Sequence, residues 1–142
     1  MPAANSENNT LQINGLAPLL HVFDMPVCIA FYRDKLGFKI VGQSEPELGD
    51  DCNWVWLKRN NVELMFNTAY EKKNRPAVAD PLRIKAHADT VIYFGCPDID
   101  ALYAHLHSKG LDIKEPIITM YHFKAIYLTD PDGYHLCFHW PL

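Results

Sequence analysis

The chain has 142 residues, 49% apolar and 21% charged, with 13 basic against 17 acidic side chains and a formal net charge of −4. That length fits one domain, and such an apolar fraction can bury a core, which excludes disorder as the main state. An acidic balance without a basic stripe excludes nucleic acid as a partner, and the longest apolar runs, 15–23 and 88–96, are interrupted and too short to span a membrane.

In chain order, residues 1–13 are polar and Asn-rich and read as a flexible arm or edge strand. Residues 16–23 read as a strand. Asp24 is placed to cap a helix, with Pro26 in the first turn where a missing N–H is harmless. Val27, Ala30, Phe31 and Asp34 fall on one face of that helix, and Gly37 supplies the left-handed residue that ends it near Leu36. Residues 38–41, 53–57 and 62–66 read as strands, the last two joined by a turn at Asn60 and Asn61. Residues 70–89 form a charged, Pro-containing connector that serves as a lid or as plain surface. Beyond it the order returns: a strand at 90–96, a cap at Asp98, a helix whose face carries Ile99, Leu102, Tyr103 and Leu106, a stop at Gly110, and strands at 112–117, 123–128 and 135–140.

Strand, helix, strand, strand, strand thus occurs twice. Two helix caps and two helix stops in register indicate an internal duplication. The layout is an arm over 1–13 and one domain over 14–142, with module one at about 14–69, the connector at 70–89 and module two at 90–142. The fold class is α+β: two βαβββ modules forming a curled mixed sheet with a concave ligand-binding face. The four cysteines, Cys28, Cys52, Cys96 and Cys137, contain no CxxC pair. Without an export signal they read as reduced thiols in a cytoplasmic protein.

Two stretches carry a resemblance. The first runs from Asp24 through Pro26, Phe31, Tyr32, Leu36 and Gly37 to Phe38; the second is Asp130-Pro131-Asp132-Gly133-Tyr134. With Val62-Glu63-Leu64-Met65 and the Asp98 helix between them, they resemble the vicinal oxygen chelate superfamily, which includes glyoxalase I, extradiol dioxygenases and bleomycin-resistance proteins. The motifs themselves read as structural: Phe31 and Tyr32 pack the helix on its sheet, and Asp-Pro-Asp-Gly suits a tight turn. The resemblance implies a homodimer, often with each pocket built from both chains. In the metalloenzymes of the superfamily the ligands come from the first and last strands of each half, which here map to Ala17, Glu63, Val91 and Cys137. Ala17 and Val91 cannot coordinate through their side chains, so the chain looks most like the bleomycin-resistance branch, which binds its ligand without a metal.

Strand alternation then sorts the site. If Glu63 and Cys137 point inward, so do Met65, Asn67, His135 and His139, and His21 follows if position 17 does. Trp54 and Trp56 share one face, and Tyr93, Tyr121, Phe123 and Tyr127 lie on the matching strands and loop of module two; about half of these rings are expected to fill space between helix and sheet instead. The expected ligand-binding set is His21, Trp54, Trp56, Glu63, Met65, Asn67, Tyr93, Tyr121, His135, Cys137 and His139. Glu63 is the candidate catalytic residue, as a general base or a holder of a cation, against the alternative of a carboxylate satisfied by a neighbouring Tyr or His. The expected function is binding of a small organic molecule with no cofactor. The alternative is a lyase, isomerase or dioxygenase of the same fold using Glu63 and the histidines, with a nonstandard divalent metal.

Overall fold

A computed structural model describes residues 10–142. Residues 1–9 of the expected arm lie outside that range, and residues 10–13 are exposed and form no strand. Strand β1 spans Leu19–Val22 and leads to Asp24, whose side chain accepts from the Val27 amide and so caps helix α1, Met25–Ile29. The helix continues as a wider π-type turn over Ala30–Lys35 and stops at Gly37, which has φ +78. Strands β2 (Lys39–Gln43), β3 (Trp54–Arg59) and β4 (Val62–Thr68) complete module one. Module two has β5 (Val91–Gly95), the remaining strands β6 (Ile117–Ile118), β7 (Phe123–Thr129) and β8 (His135–Pro141), and a helix, Ile99–Ser108, that ends at Gly110 with φ +82. None of the helices among the described residues is long and apolar enough to cross a membrane.

Each module makes its own four-stranded mixed sheet, in the orders β1-β4-β3-β2 and β5-β8-β7-β6. The first strand of each module pairs in parallel with its last, and the remaining pairs are antiparallel. The duplication read from the sequence is therefore present in the topology.

Three expectations are corrected. The buried stripe of the first helix is Met25, Cys28, Ile29 and Tyr32, with Phe31 buried beside it as expected, whereas Val27 is half exposed. The i, i+3, i+4, i+7 spacing of that set brings the largest ring to the sheet. The strand expected at 112–117 shrinks to two residues, Ile117 and Ile118. The connector contains a helix, α2 (Pro81–Ala86), capped by the Asp80 side chain and followed by a short turn at His87–Asp89. The helix Ile99–Ser108 is therefore α3 in chain order.

One apolar cluster spans both modules. It gathers Leu20, Val22, Val55, Leu57, Leu64 and Phe66 from the first sheet with Phe94, Ile126, Leu128, Leu136 and Phe138 from the second, around Tyr32 and Leu106 of the helices. Phe38 and Phe94 meet edge to face across the junction, with ring centroids 6.4 Å apart.

The junction is also polar. In the Asp130–Gly133 turn, Asp130 Oδ1 accepts from the amides of Asp132 and Tyr134, both at 2.9 Å, while Oδ2 accepts from the Tyr32 hydroxyl of module one at 2.6 Å. Asp132 accepts from the Phe23 amide at 2.7 Å and from Arg83 of α2 at 3.0 Å. His87 stacks on Tyr134 at 3.9 Å, and the Tyr134 hydroxyl donates to the His21 carbonyl. Gly133 has φ +90, and a Cβ there would lie 2.5 Å from the Ile84 carbonyl oxygen.

Two outcomes follow from this junction. Gly133→Ala is expected to lower the unfolding free energy by about 2 kcal/mol, measured by urea denaturation, because it adds left-handed strain to a backbone overlap. Burial raises the Asp130 carboxyl above its ordinary 3.8, outweighing the hydrogen bonds from Tyr32, Tyr134 and Asp132 that pull it down. A raised acid contributes stability below its unfolded pKa and loses it as pH rises through the folded value. Wild type should therefore gain stability relative to Asp130→Asn as pH falls from about 7 to about 4, and a flat difference over that range would contradict the assignment.

Candidate functional site

Because both sheets turn one face to the shared core, the alternate residues of every strand point the other way. On module one, Val55, Leu57, Leu64 and Phe66 are buried in the core, while Trp54, Trp56, Glu63, Met65 and Asn67 lie on the opposite face and are half-buried. The ladder sets Trp56 beside Met65, Trp54 beside Asn67, and His21 beside Asn67 on its other side. Trp56 Nε1 donates to Glu63 Oε1 at 2.9 Å. The partner that satisfies the carboxylate is thus an indole rather than a Tyr or His. Trp54 and Trp56 drape over Gly42, where a Cβ would lie 3.3 Å from the Trp56 ring. The lack of a side chain at position 42 lets both indoles lie against the strand.

Module two presents a more enclosed surface. Tyr93, Ala125, Tyr127, Cys137 and His139 face away from the core and, with the 117–121 segment, line a trough of ≈ 660 Å³. Tyr93 meets His139 edge to face at 5.3 Å, and Phe123 meets His139 at 5.1 Å. Tyr121 is exposed at the rim. Cys137 forms the floor. Its thiol is raised above 9.0 by burial, against a smaller opposite effect of its hydrogen bond with the Tyr127 hydroxyl. His135 lies outside the trough, in an adjacent hollow of ≈ 560 Å³ that it shares with Phe31, Tyr93 and Tyr127.

The expected site residues therefore form two sets. His21, Trp54, Trp56, Glu63, Met65 and Asn67 sit on one sheet, and Tyr93, Tyr121, His135, Cys137 and His139 belong to the other module. The trough is lined by module-two residues alone. None of the six rings named from the sequence belongs to the apolar core: Trp54 and Trp56 lie on the outer face of module one, and Tyr93, Tyr121, Phe123 and Tyr127 line the trough, so the expectation that about half fill the space between helix and sheet is corrected. The sequence reading missed His87 and Arg83, which hold the connector to the Asp132 turn. Asp80 before Pro81 was the available signal for the helix that carries them.

The four positions mapped to metal ligands can be tested on this geometry. Ala17 lies before β1, where the neighbouring Pro18 carbonyl accepts from the Met65 amide at 2.9 Å. In module two the ladder sets Tyr93, not Val91, opposite Cys137; Val91 pairs with His135. Glu63 already accepts from Trp56, and Cys137 is a buried thiol with a raised pKa. Among the described residues, no three His, Cys, Asp or Glu side chains are grouped to hold a metal ion. Catalytic zinc keeps three protein ligands, so this donor set does not fit a resident divalent ion.

The model of the Glyoxalase/Bleomycin resistance protein/Dioxygenase superfamily matches residues 12–138. A comparison with curated protein sequences finds no match. Among solved structures, the chain is similar to a bleomycin resistance determinant encoded on the transposon Tn5, at 23% identity and TM-score 0.68, covering 91% of this chain and 98% of that one. It is similar to an antibiotic binding protein from Streptomyces sp. CB03234, at 18% identity and TM-score 0.66, covering 92% and 98%. A bleomycin-binding protein from Streptomyces verticillus, complexed with copper(II)-bleomycin, matches at 16% identity and TM-score 0.64, covering 90% and 96%. At these identities the structures establish a shared fold.

The cysteine environments generate one expectation. Cys28 and Cys137 are buried with raised pKa values, burial being the main cause for each, whereas Cys96 is only half-buried. Brief iodoacetamide treatment of the folded protein near pH 8 should label Cys96 first, with Cys28 and Cys137 reacting only after denaturation. Mass spectrometry of tryptic peptides reads the order, and early labelling of Cys137 would contradict its placement on the trough floor.

Proposed function

The chain belongs to the glyoxalase/bleomycin resistance protein/dioxygenase superfamily, and from that premise we propose that it binds a small, flat, amphipathic organic molecule without a metal, in a cup completed by a second copy of the chain. The observation that carries this reading is the pair of aromatic faces turned away from the shared core. One bears Trp54 and Trp56 with Glu63, and the other bears Tyr93, Tyr127 and His139 around a trough of ≈ 660 Å³. That volume suits a small-molecule site, and rings with polar tips suit a planar ligand that needs a few oriented hydrogen bonds.

Each face is half of a cup. A face left open to water would keep Leu19, Tyr93, Tyr121 and Tyr127 exposed, together with Leu11, Ile13 and Leu16 just before β1. Pairing module one of one chain with module two of another covers these groups and encloses the ligand between the two aromatic sets. This supports the homodimer. Glu63, held by Trp56, then serves to orient a polar or cationic group on the ligand. The bleomycin-resistance and antibiotic-binding neighbours support a sequestering role over turnover.

A mixed dimer tests the arrangement, with the neutral fluorescent probe N-phenyl-1-naphthylamine as ligand. Trp56→Ala and Tyr127→Ala should each weaken probe binding about tenfold in the homodimers, read by fluorescence titration. A dimer with Trp56→Ala on one chain and Tyr127→Ala on the other should keep one cup of wild-type affinity, because both changes fall in the second cup. Two equally weakened sites would place the pocket within a single chain. A monomer by light scattering would overturn the shared cup, and a stoichiometric transition metal in protein purified without an affinity tag would overturn the metal-free reading.

A further inference from the structure

A third hollow, of ≈ 680 Å³, lies where the open end of the β2–β3 pair approaches the ends of the two long helical segments. Lys39, Lys58, Arg59, Lys109 and His105 line it, and among the described residues Asp34 is the one acid that does. Both Asp34 oxygens already accept from Arg33, at 2.9 and 3.3 Å, which holds its carboxyl below the ordinary value. Among the described residues, none of the four Lys and Arg side chains forms an ion pair. Four unpaired cations thus share one hollow of a protein whose net charge is −4.

Helix ends explain some of these charges. Arg59 Nη1 donates to the Leu36 carbonyl, His105 approaches the Lys35 carbonyl at 3.3 Å, and Lys109 is the C-cap of α3. They do not explain Lys39 and Lys58. These two lie directly opposite each other in the β2–β3 ladder, an arrangement of like charges that works against the sheet; Glu63 flanks Lys58 on β4, but its carboxylate accepts from Trp56, and among the described residues it forms no ion pair with Lys58. An anion between them converts that repulsion into binding.

We propose that this hollow is a binding site for a small polyanion, a ligand carrying two or three phosphates. Lys39 and Lys58 flank the phosphate chain, and the N–H groups of Arg59 not used on Leu36 offer a planar fork to a phosphate oxygen. The size of the hollow favours a small ligand. An extended polyanion such as a nucleic acid would have to cross the rest of the surface, which carries the acidic excess left once these four cations are set aside. Lys58 shares its strand face with Trp56 and lies opposite Glu63, so the hollow borders the aromatic face of module one, but none of the rings lines it.

The test is isothermal titration of the full chain with inorganic tripolyphosphate at low and moderate salt. Saturable one-to-one binding is expected, weakening about tenfold in Lys39→Gln/Lys58→Gln and more in Lys39→Glu/Lys58→Glu. The control pair Lys85→Gln/Lys114→Gln changes the net charge equally at residues outside the hollow and should bind as wild type. Unchanged melting curves and far-UV circular dichroism confirm that the variants are folded. No saturable binding, equal weakening in both pairs, or tighter binding of a short single-stranded oligonucleotide than of tripolyphosphate would each overturn the proposal.

Discussion

The Asp130-Pro131-Asp132-Gly133 turn is the constraint on which the rest of the molecule depends. Its two carboxylates are buried, and a buried carboxylate is tolerated only when donors surround it. Those donors come from three places: the turn's own amides, Tyr32 and Phe23 of module one, and Arg83 of the connector. These bonds tie module one and the connector to the turn of module two, so the carboxylates hold how one half sits on the other. The apolar cluster supplies the driving force, and this polar clasp selects the orientation.

That orientation decides where ligands can go. With the helix sides of both sheets committed to one core, the alternate faces are left for recognition, and they carry different chemistry. Module one offers two indoles and a carboxylate; module two offers phenols, an imidazole and a buried thiol. The division follows from strand alternation alone. It gives a duplicated chain two unlike surfaces from one architecture.

Much of this was legible in the sequence. Asp24 and Asp98 cap helices, Gly37 and Gly110 end them, and both modules show the same strand order, because caps and stops are local chemistry. Alternation placed Trp54 with Trp56 and Glu63 with Met65 on shared faces for the same reason. The helix inside the connector was hidden by its short length and charged composition; what orders it is a tertiary clasp through Arg83 and His87. The grouping of the site residues into two sets was also beyond local pattern. Periodicity tells which residues share a face, not which faces oppose. The cationic hollow assembles residues from positions 39 to 109, a separation that no sequence window spans.

The two halves differ in the chain that lies between their paired outer strands: Leu19 pairs with Met65, 46 positions on, whereas Val91 pairs with His135, 44 positions on. A slip of one residue in either pairing would turn the aromatic and acidic side chains of one strand into the oily interior and push its leucines into water. The connections between strands can therefore change length while the pairing itself cannot move by one residue, and this lets the two ligand faces change contents without changing sides.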